Sequence, residues 1–177
     1  MRIIAGAKRG HRITAPKGAG TRPTGDRVRE ALFSILGPVD DATVLDLFAG
    51  SGALGLEAMS RGARRCVFVD SDRAACRVIT ANLEHLRLSA ALVLQRDAVG
   101  VLRAEAAAGR RYDLVLMDPP YDAWQSLEPR LAELLPSVLA GDGVLAVETE
   151  GRVEPQLQLP LLTTRRYGSA RITLFTS

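Results

Sequence analysis

The sequence predicts an α/β fold built on a mostly parallel sheet, and three observations carry the prediction. Apolar runs short enough for buried strands recur between residues 43 and 150. Segments with helical spacing of apolar residues separate them. A glycine-rich turn joins the first run to the first of those helices. Strand–helix–strand alternation of this kind gives right-handed crossovers and parallel neighbours.

Residues 2–15 read as two short strands around a turn. Arg2-Ile3-Ile4-Ala5 and His11-Arg12-Ile13-Thr14 flank Gly6-Ala7-Lys8-Arg9-Gly10, a tip bearing two cations. Residues 16–24, rich in Pro, Gly and Thr, read as an extended loop. A helix follows, capped by Asp26, with Val28, Leu32, Ile35 and Leu36 as its apolar stripe and Gly37-Pro38 as its stop. The pattern then changes. Residues 44–48 form a strand, 53–61 a helix and 65–70 a second strand. Ser71 caps a helix over 72–87 with Ala75, Val78, Ile79, Leu83 and Leu86 at helical spacing. Residues 91–96 make a third strand, 98–108 a helix, 112–117 a fourth strand, 127–140 a helix and 143–148 a fifth strand. Thr163–Tyr167 and Ala170–Phe175, joined by Gly168-Ser169, read as a closing hairpin. The division falls near residue 40: an N-terminal hairpin-and-helix extension over 1–40, and the sheet domain over 41–177.

Composition narrows the function. The 177 residues suffice for one domain with a core and a small appendage. No apolar run has the length of a membrane span, and the N-terminus lacks the apolar core of a secretory signal. Cys66 and Cys76 make neither a disulfide framework nor a zinc site and read as buried thiols in a reducing cytoplasm. His11 and His85 have no partners at metal-ligand spacing, so no metal is expected. No surplus apolar face stands out, which favours a monomer. The net charge of +3 is unevenly spread: residues 1–30 carry +6 and the rest −3. A basic arm on a near-neutral body is the footprint of a phosphate-backbone binder.

Gly50, Gly52 and Gly55 satisfy a dinucleotide-binding spacing directly after the first strand. Two ligands fit: a nicotinamide or flavin dinucleotide held at the helix N-terminus, or S-adenosylmethionine (SAM), whose amino acid and ribose also need close backbone approach. Asp46 separates them, because a carboxylate beside the turn suits an ammonium group and repels a pyrophosphate. Phe48 and Ser51 belong to the same turn. Asp70, ending the second strand, can accept from both ribose hydroxyls. Asp97, ending the third, is placed for an adenine amino group, or alternatively is a helix N-cap.

Asp118-Pro119-Pro120-Tyr121 follows the fourth strand. Two prolines cannot continue a central strand, so an acid, a rigid carbonyl and an aromatic ring stand at its C-terminal edge, where ligands of open α/β sheets bind. An exocyclic amine on a nucleobase is a poor nucleophile. Asp118 and the Pro119 carbonyl can accept its two hydrogens and aim the nitrogen lone pair at a sulfonium methyl. Proline rigidity holds the carbonyl, and Tyr121 can stack on the base. Whether Asp118 also takes the proton stays open, since water suffices as acceptor.

With these motifs in place the chain resembles the class I SAM-dependent methyltransferases, and among them the RsmD type, which methylates guanine N2 in bacterial small-subunit (16S) ribosomal RNA. The resemblance rests on Arg2–Gly6 with Arg9-Gly10, on the string from Thr21 to Phe33, on the stretch from Asp46 to Ala58, and on Asp118-Pro119-Pro120-Tyr121, and so spans essentially the whole chain. Asp70 stands where relatives often carry Glu. The resemblance implies a seven-stranded Rossmann-like sheet with an antiparallel last strand and SAM as methyl donor. It implies a guanine in small-subunit rRNA as target, on an assembled or partly assembled 30S subunit. Lys8, Arg9, Arg12, Arg22, Arg27 and Arg29 would then hold RNA; alternatively Arg22, with Thr24, borders the cofactor, because their loop should run across the open edge of the sheet. Three other readings compete. A DNA adenine-N6 methyltransferase usually needs an extra target-recognition region for which there is no room. A nicotinamide oxidoreductase has no use for Asp118-Pro119-Pro120-Tyr121. A non-catalytic RNA-binding module would not need Asp118 intact.

Overall fold

The computed structural model describes residues 1–16 and 25–177. Five strands run parallel: β1 (Thr43–Leu47), β2 (Arg65–Asp70), β3 (Ala91–Gln95), β4 (Tyr112–Met117) and β5 (Leu139–Glu150). β6 (Leu161–Tyr167) and β7 (Ala170–Thr176) close the sheet as a hairpin, with β7 antiparallel between β5 and β6. The order is β3-β2-β1-β4-β5-β7-β6. This is the class I methyltransferase sheet, mostly parallel with its last strand reversed. Chain order reverses between β1 and β4, which opens a crevice at the carboxyl edge of the sheet.

Each face of the sheet carries an apolar layer. On one, Val44, Phe68 and Leu116 meet Leu56 of α2 (Ala53–Ser60) and Ile79 of α3 (Arg73–Leu86), along with Leu32 and Phe33 of α1 (Asp26–Leu36). On the other, Leu45, Leu47 and Val115 meet Leu102 of α4 (Ala98–Ala107) and Leu131 of α5 (Trp124–Leu134). All five residues of β1 are buried, as expected of a parallel strand covered on both faces.

The N-terminal segment pairs antiparallel around its turn as the sequence suggests, but over a single bridge rather than two full strands. Around the Arg2–Arg12 bridge, Ile3 N–H donates to the His11 carbonyl at 2.9 Å, Ile13 N–H to the Met1 carbonyl at 3.1 Å and Gly10 N–H to the Ile3 carbonyl at 2.9 Å. Beyond the bridge a distant partner takes over: the N–H groups of Ile4 and Ala5 donate to the Glu57 carboxylate on α2, at 2.8 and 3.0 Å. Ile3 and Ile13 still enter the core beside Phe33. Residues 1–40 thus contribute to the packing of the sheet domain through the stretches the structure describes.

Three local expectations are corrected. Asp26 does not cap α1; Gly25 occupies that position and Asp26 lies in the first turn, paired with Arg29. Asp72 rather than Ser71 caps α3, accepting from the Ala74 N–H at 2.8 Å. The helix expected over 127–140 starts at Trp124, whose ring is buried in the core, and ends at Leu134. Pro136 has no N–H to continue it, so the chain tightens into a 3₁₀ turn over Leu135–Ser137 before β5. Cys66 and Cys76 are free and buried. Among the described residues no helix is long and apolar enough to cross a membrane.

Candidate active site

The turn after β1 is built from strained backbone. Phe48, Gly50 and Gly52 take φ values of 58°, 56° and 78°, a region that favours glycine. The Ala49 N–H donates to the Val69 carbonyl at 3.0 Å, pinning the turn to β2. Gly52 then opens α2 with no side-chain cap, leaving first-turn N–H groups facing the crevice side of the sheet. The third glycine works differently. A Cβ on Gly55 would lie 2.4 Å from the Phe68 ring, 2.7 Å from the Cys66 sulfur and 2.9 Å from Asp46. Gly55 therefore permits α2 to press onto the sheet, and its N–H donates to Asp46 Oδ2 at 2.9 Å.

Asp46 is only 1% exposed. Burial pushes its carboxyl up to about 8; the Gly55 N–H pulls the other way, and the charges of Asp118 and Asp70 add to the rise. A carboxyl kept neutral this way gains most from a cation placed beside it. Asp70 faces the turn: Oδ2 accepts from the Gly50 N–H and Oδ1 from the Asp72 N–H, both at 2.8 Å. Each oxygen keeps a second lone pair for a ligand hydroxyl. Asp97 adopts its capping alternative, with Oδ2 accepting from the Gly100 N–H at 2.7 Å. The Ser51 carbonyl accepts from Asn82 Nδ2 at 3.0 Å. Thr24 and Arg22 lie outside the described residues.

At the end of β4, Asp118 is half-buried, Pro119 buried, and Pro120 and Tyr121 exposed. The Pro120 carbonyl accepts from the Ala123 N–H at 3.1 Å, which turns the chain into α5. The Tyr121 hydroxyl donates to Glu148 Oε1 at 3.3 Å. Glu148 was not singled out from sequence. It lies one residue beyond the Met117–Val147 pair, as Asp118 does on β4, so the two acids are neighbours across adjacent strands. Its signal was present: an acid closing the apolar run Val144-Leu145-Ala146-Val147, the pattern that marked Asp118.

Of the expected RNA-binding residues, Arg9, Arg12 and Arg27 are exposed and Lys8 is half-buried. Arg29 is the correction. It is fully buried, donating to the Arg2 carbonyl at 2.6 Å and to Asp26 at 3.0 Å, with Nε 3.7 Å from Glu57. It ties α1 to the N-terminal segment and to α2, and no phosphate can reach it. Glu57, also unforeseen, binds the N–H groups of Ile4 and Ala5 and the side chain of Arg61. Farther along α2, Ser60 holds Ala5, Ala7 and Lys8. At the other end, Asn82 exchanges hydrogen bonds with Thr14 while holding Ser51. The segment therefore runs along α2 from its C-terminus up to the glycine turn. Among the described residues no group of His, Cys, Asp and Glu could hold a metal.

A family model described as conserved hypothetical protein 95 matches residues 1–176. The chain belongs to that family. It is 40% identical over 164 residues to the ribosomal RNA small subunit methyltransferase D of Escherichia coli K12, covering 92% of this chain and 78% of the relative. A solved structure of a hypothetical protein from Thermus thermophilus superposes with a TM-score of 0.86 at 32% identity, covering 100% of this chain and 99% of the other. A more distant structure, described as a methyltransferase in complex with S-adenosylhomocysteine (SAH), has a TM-score of 0.71 at 17% identity. It covers 85% of this chain and 48% of that one, a likeness of fold alone.

Proposed function

We propose that this family member transfers a methyl group from SAM to the exocyclic N2 of a guanine in bacterial small-subunit rRNA, on an assembled or partly assembled 30S subunit. The observation that carries the reading is the union at one sheet edge of the glycine turn with Asp118-Pro119-Pro120-Tyr121, with a basic segment that reaches the turn at Thr14 through Asn82. The relative named a small-subunit rRNA methyltransferase supports the same class of substrate.

The residues fit the cofactor. Asp46 offers a buried acid to its ammonium, Asp70 a carboxylate to its ribose, and the backbone around Gly50 and Gly52 allows close approach. When bound, SAM supplies an electrophilic methyl carbon whose bond to sulfur breaks as the bond to nitrogen forms. Asp118 and the Pro119 carbonyl accept the two N2 hydrogens and localise the nitrogen lone pair. Tyr121 stacks on the base, splayed from an RNA loop into the crevice. The N2 proton then passes to Asp118 or to water. Arg9, Arg12 and Arg27 hold backbone phosphates, with Lys8 at the far end of the track.

The test is methyl transfer from labelled SAM to small subunits or rRNA from cells lacking the gene, with the product nucleoside identified by mass spectrometry. N2-methylguanosine is expected with the parent protein. Asp118→Ala should lower transfer by about 100-fold or more while SAH still binds. N6-methyladenine on DNA would instead favour the adenine reading. Transfer unchanged by Asp118→Ala would sink the mechanism.

A further inference from the structure

We infer that Glu148 is the specificity-determining residue for guanine, accepting the ring N1–H next to the amine that is methylated. The inference rests on the proposed reaction. It starts from the location of a carboxylate that is only 9% exposed at the carboxyl end of β5. Acids are rarely buried this far unless paired. Glu148 adjoins Asp118 across β4 and β5, one step past the Met117–Val147 pair. The hydroxyl of Tyr121, the ring assigned to stack on the base, donates to its Oε1 at 3.3 Å. The acid that positions the amine, the stacking ring and this second carboxylate thus form one edge.

Base chemistry then selects the ligand. Three common nucleobases carry an exocyclic amine. In adenine the ring nitrogen on the Watson–Crick side of the amine, N1, is a lone-pair acceptor. In cytosine N3 is likewise an acceptor. Only guanine has a ring N–H there. A carboxylate that is ionised when the base is bound is acceptor-only, so in that form Glu148, next to an amine already held by Asp118, attracts guanine N1–H and repels the lone pair of adenine or cytosine. The second Glu148 oxygen stays available to the Tyr121 hydroxyl, which fixes ring and acid relative to each other. Glu148 acts on base choice, and Asp118 on the orientation of the nucleophile.

The experiment replaces the target guanine, once located by mass spectrometry, with 2-aminopurine, which keeps the amine but has a bare N1. The RNA is presented free or in the subunit, whichever accepted methyl. The parent protein should favour guanine by about tenfold or more in kcat/KM. Glu148→Gln, whose amide can donate as well as accept, should lower transfer to guanine and bring the ratio to within about threefold. SAH affinity by calorimetry should be unchanged, which a general loss of structure would not allow. An equal rate on both bases by the parent protein overturns the inference even if the variant fails to fold, and so does an unchanged ratio in a folded variant. Absence of any guanine methylation by the parent protein overturns the reaction itself along with it.

Discussion

Asp46 sits where three effects meet: enclosure, a helix-end N–H from Gly55, and the negative charges of Asp118 and Asp70. In the folded protein it holds its proton to about pH 8, against an ordinary carboxyl near 3.8. The folded state therefore binds more protons than the unfolded state between those values, and this group makes stability fall as pH rises through that window, with no further change above it. Asp46→Asn removes the penalty. The melting temperature of the variant relative to the parent, without cofactor, should climb from about pH 4 to about pH 8 and then level. An ammonium placed beside Asp46 favours the ionised form. SAH binding near neutrality should then release a proton that Asp46→Asn does not release, as read by calorimetry in buffers of different ionisation enthalpy. Gly55→Ala is predicted to cost about 1–3 kcal/mol, seen as a lower urea midpoint, because its methyl group would meet Phe68, Cys66 and Asp46 together. Much of this site was legible in the sequence, since Asp46, the glycines, Asp70 and Asp118 are tied to strand ends by spacing alone. The burial of Arg29 was not, and although Glu148 carried the same strand-end signal as Asp118, its place beside Asp118 was not, because each depends on which strand or helix lies alongside.

At the scale of elements, α2 has a double role. Its first turn serves the crevice, and its later residues, Glu57 and Ser60, hold the N-terminal segment. Glu57 and Arg29 are both fully buried. Removing one partner of such a pair strands the other, so Glu57→Ala should cost about 3 kcal/mol or more. Hydrogen exchange at Ile3, Ile4 and Ala5 should accelerate more than exchange in β4; equal loss of protection in both would mean that the segment is not a separable layer. The parallel strands and most helices were readable from periodicity, with β2 and β4 matching to the residue. The N-terminal hairpin was readable too, but its short extent was not, since alternation in Arg2-Ile3-Ile4-Ala5 does not say that a carboxylate 53 residues away takes the Ile4 N–H. The start of α5 was missed for a related reason: Trp124 anchors it by packing, and no capping side chain announces it.

For the whole molecule, charge is layered. Residues 1–30 carry +6 and the rest −3, and Ile4, Ala5 and Lys8 of that stretch are held against α2. Association with RNA should weaken steeply with salt. Replacing Arg9 and Arg12 by Gln should reduce the slope of log affinity against log salt by about one for each phosphate that is no longer held, with SAH affinity unchanged. An unchanged slope would remove both residues from the RNA track. The count of seven strands and the reversed last one followed from the family resemblance; the order of neighbours came only with the structure, because alternation of strands and helices fixes direction but not sequence of neighbours.

The docking of the N-terminus also orders events during synthesis. Ile4 and Ala5 wait for Glu57, and Thr14 waits for Asn82, 68 residues downstream. At ordinary translation speeds that is an interval of several seconds. Through it the emerging chain trails an unanchored polycation a few nanometres from the ribosome's own RNA. Chains halted before residue 57 lack both partners, and chains halted before residue 82 lack the second, whereas in the full chain Ile4, Ala5 and Thr14 all have theirs.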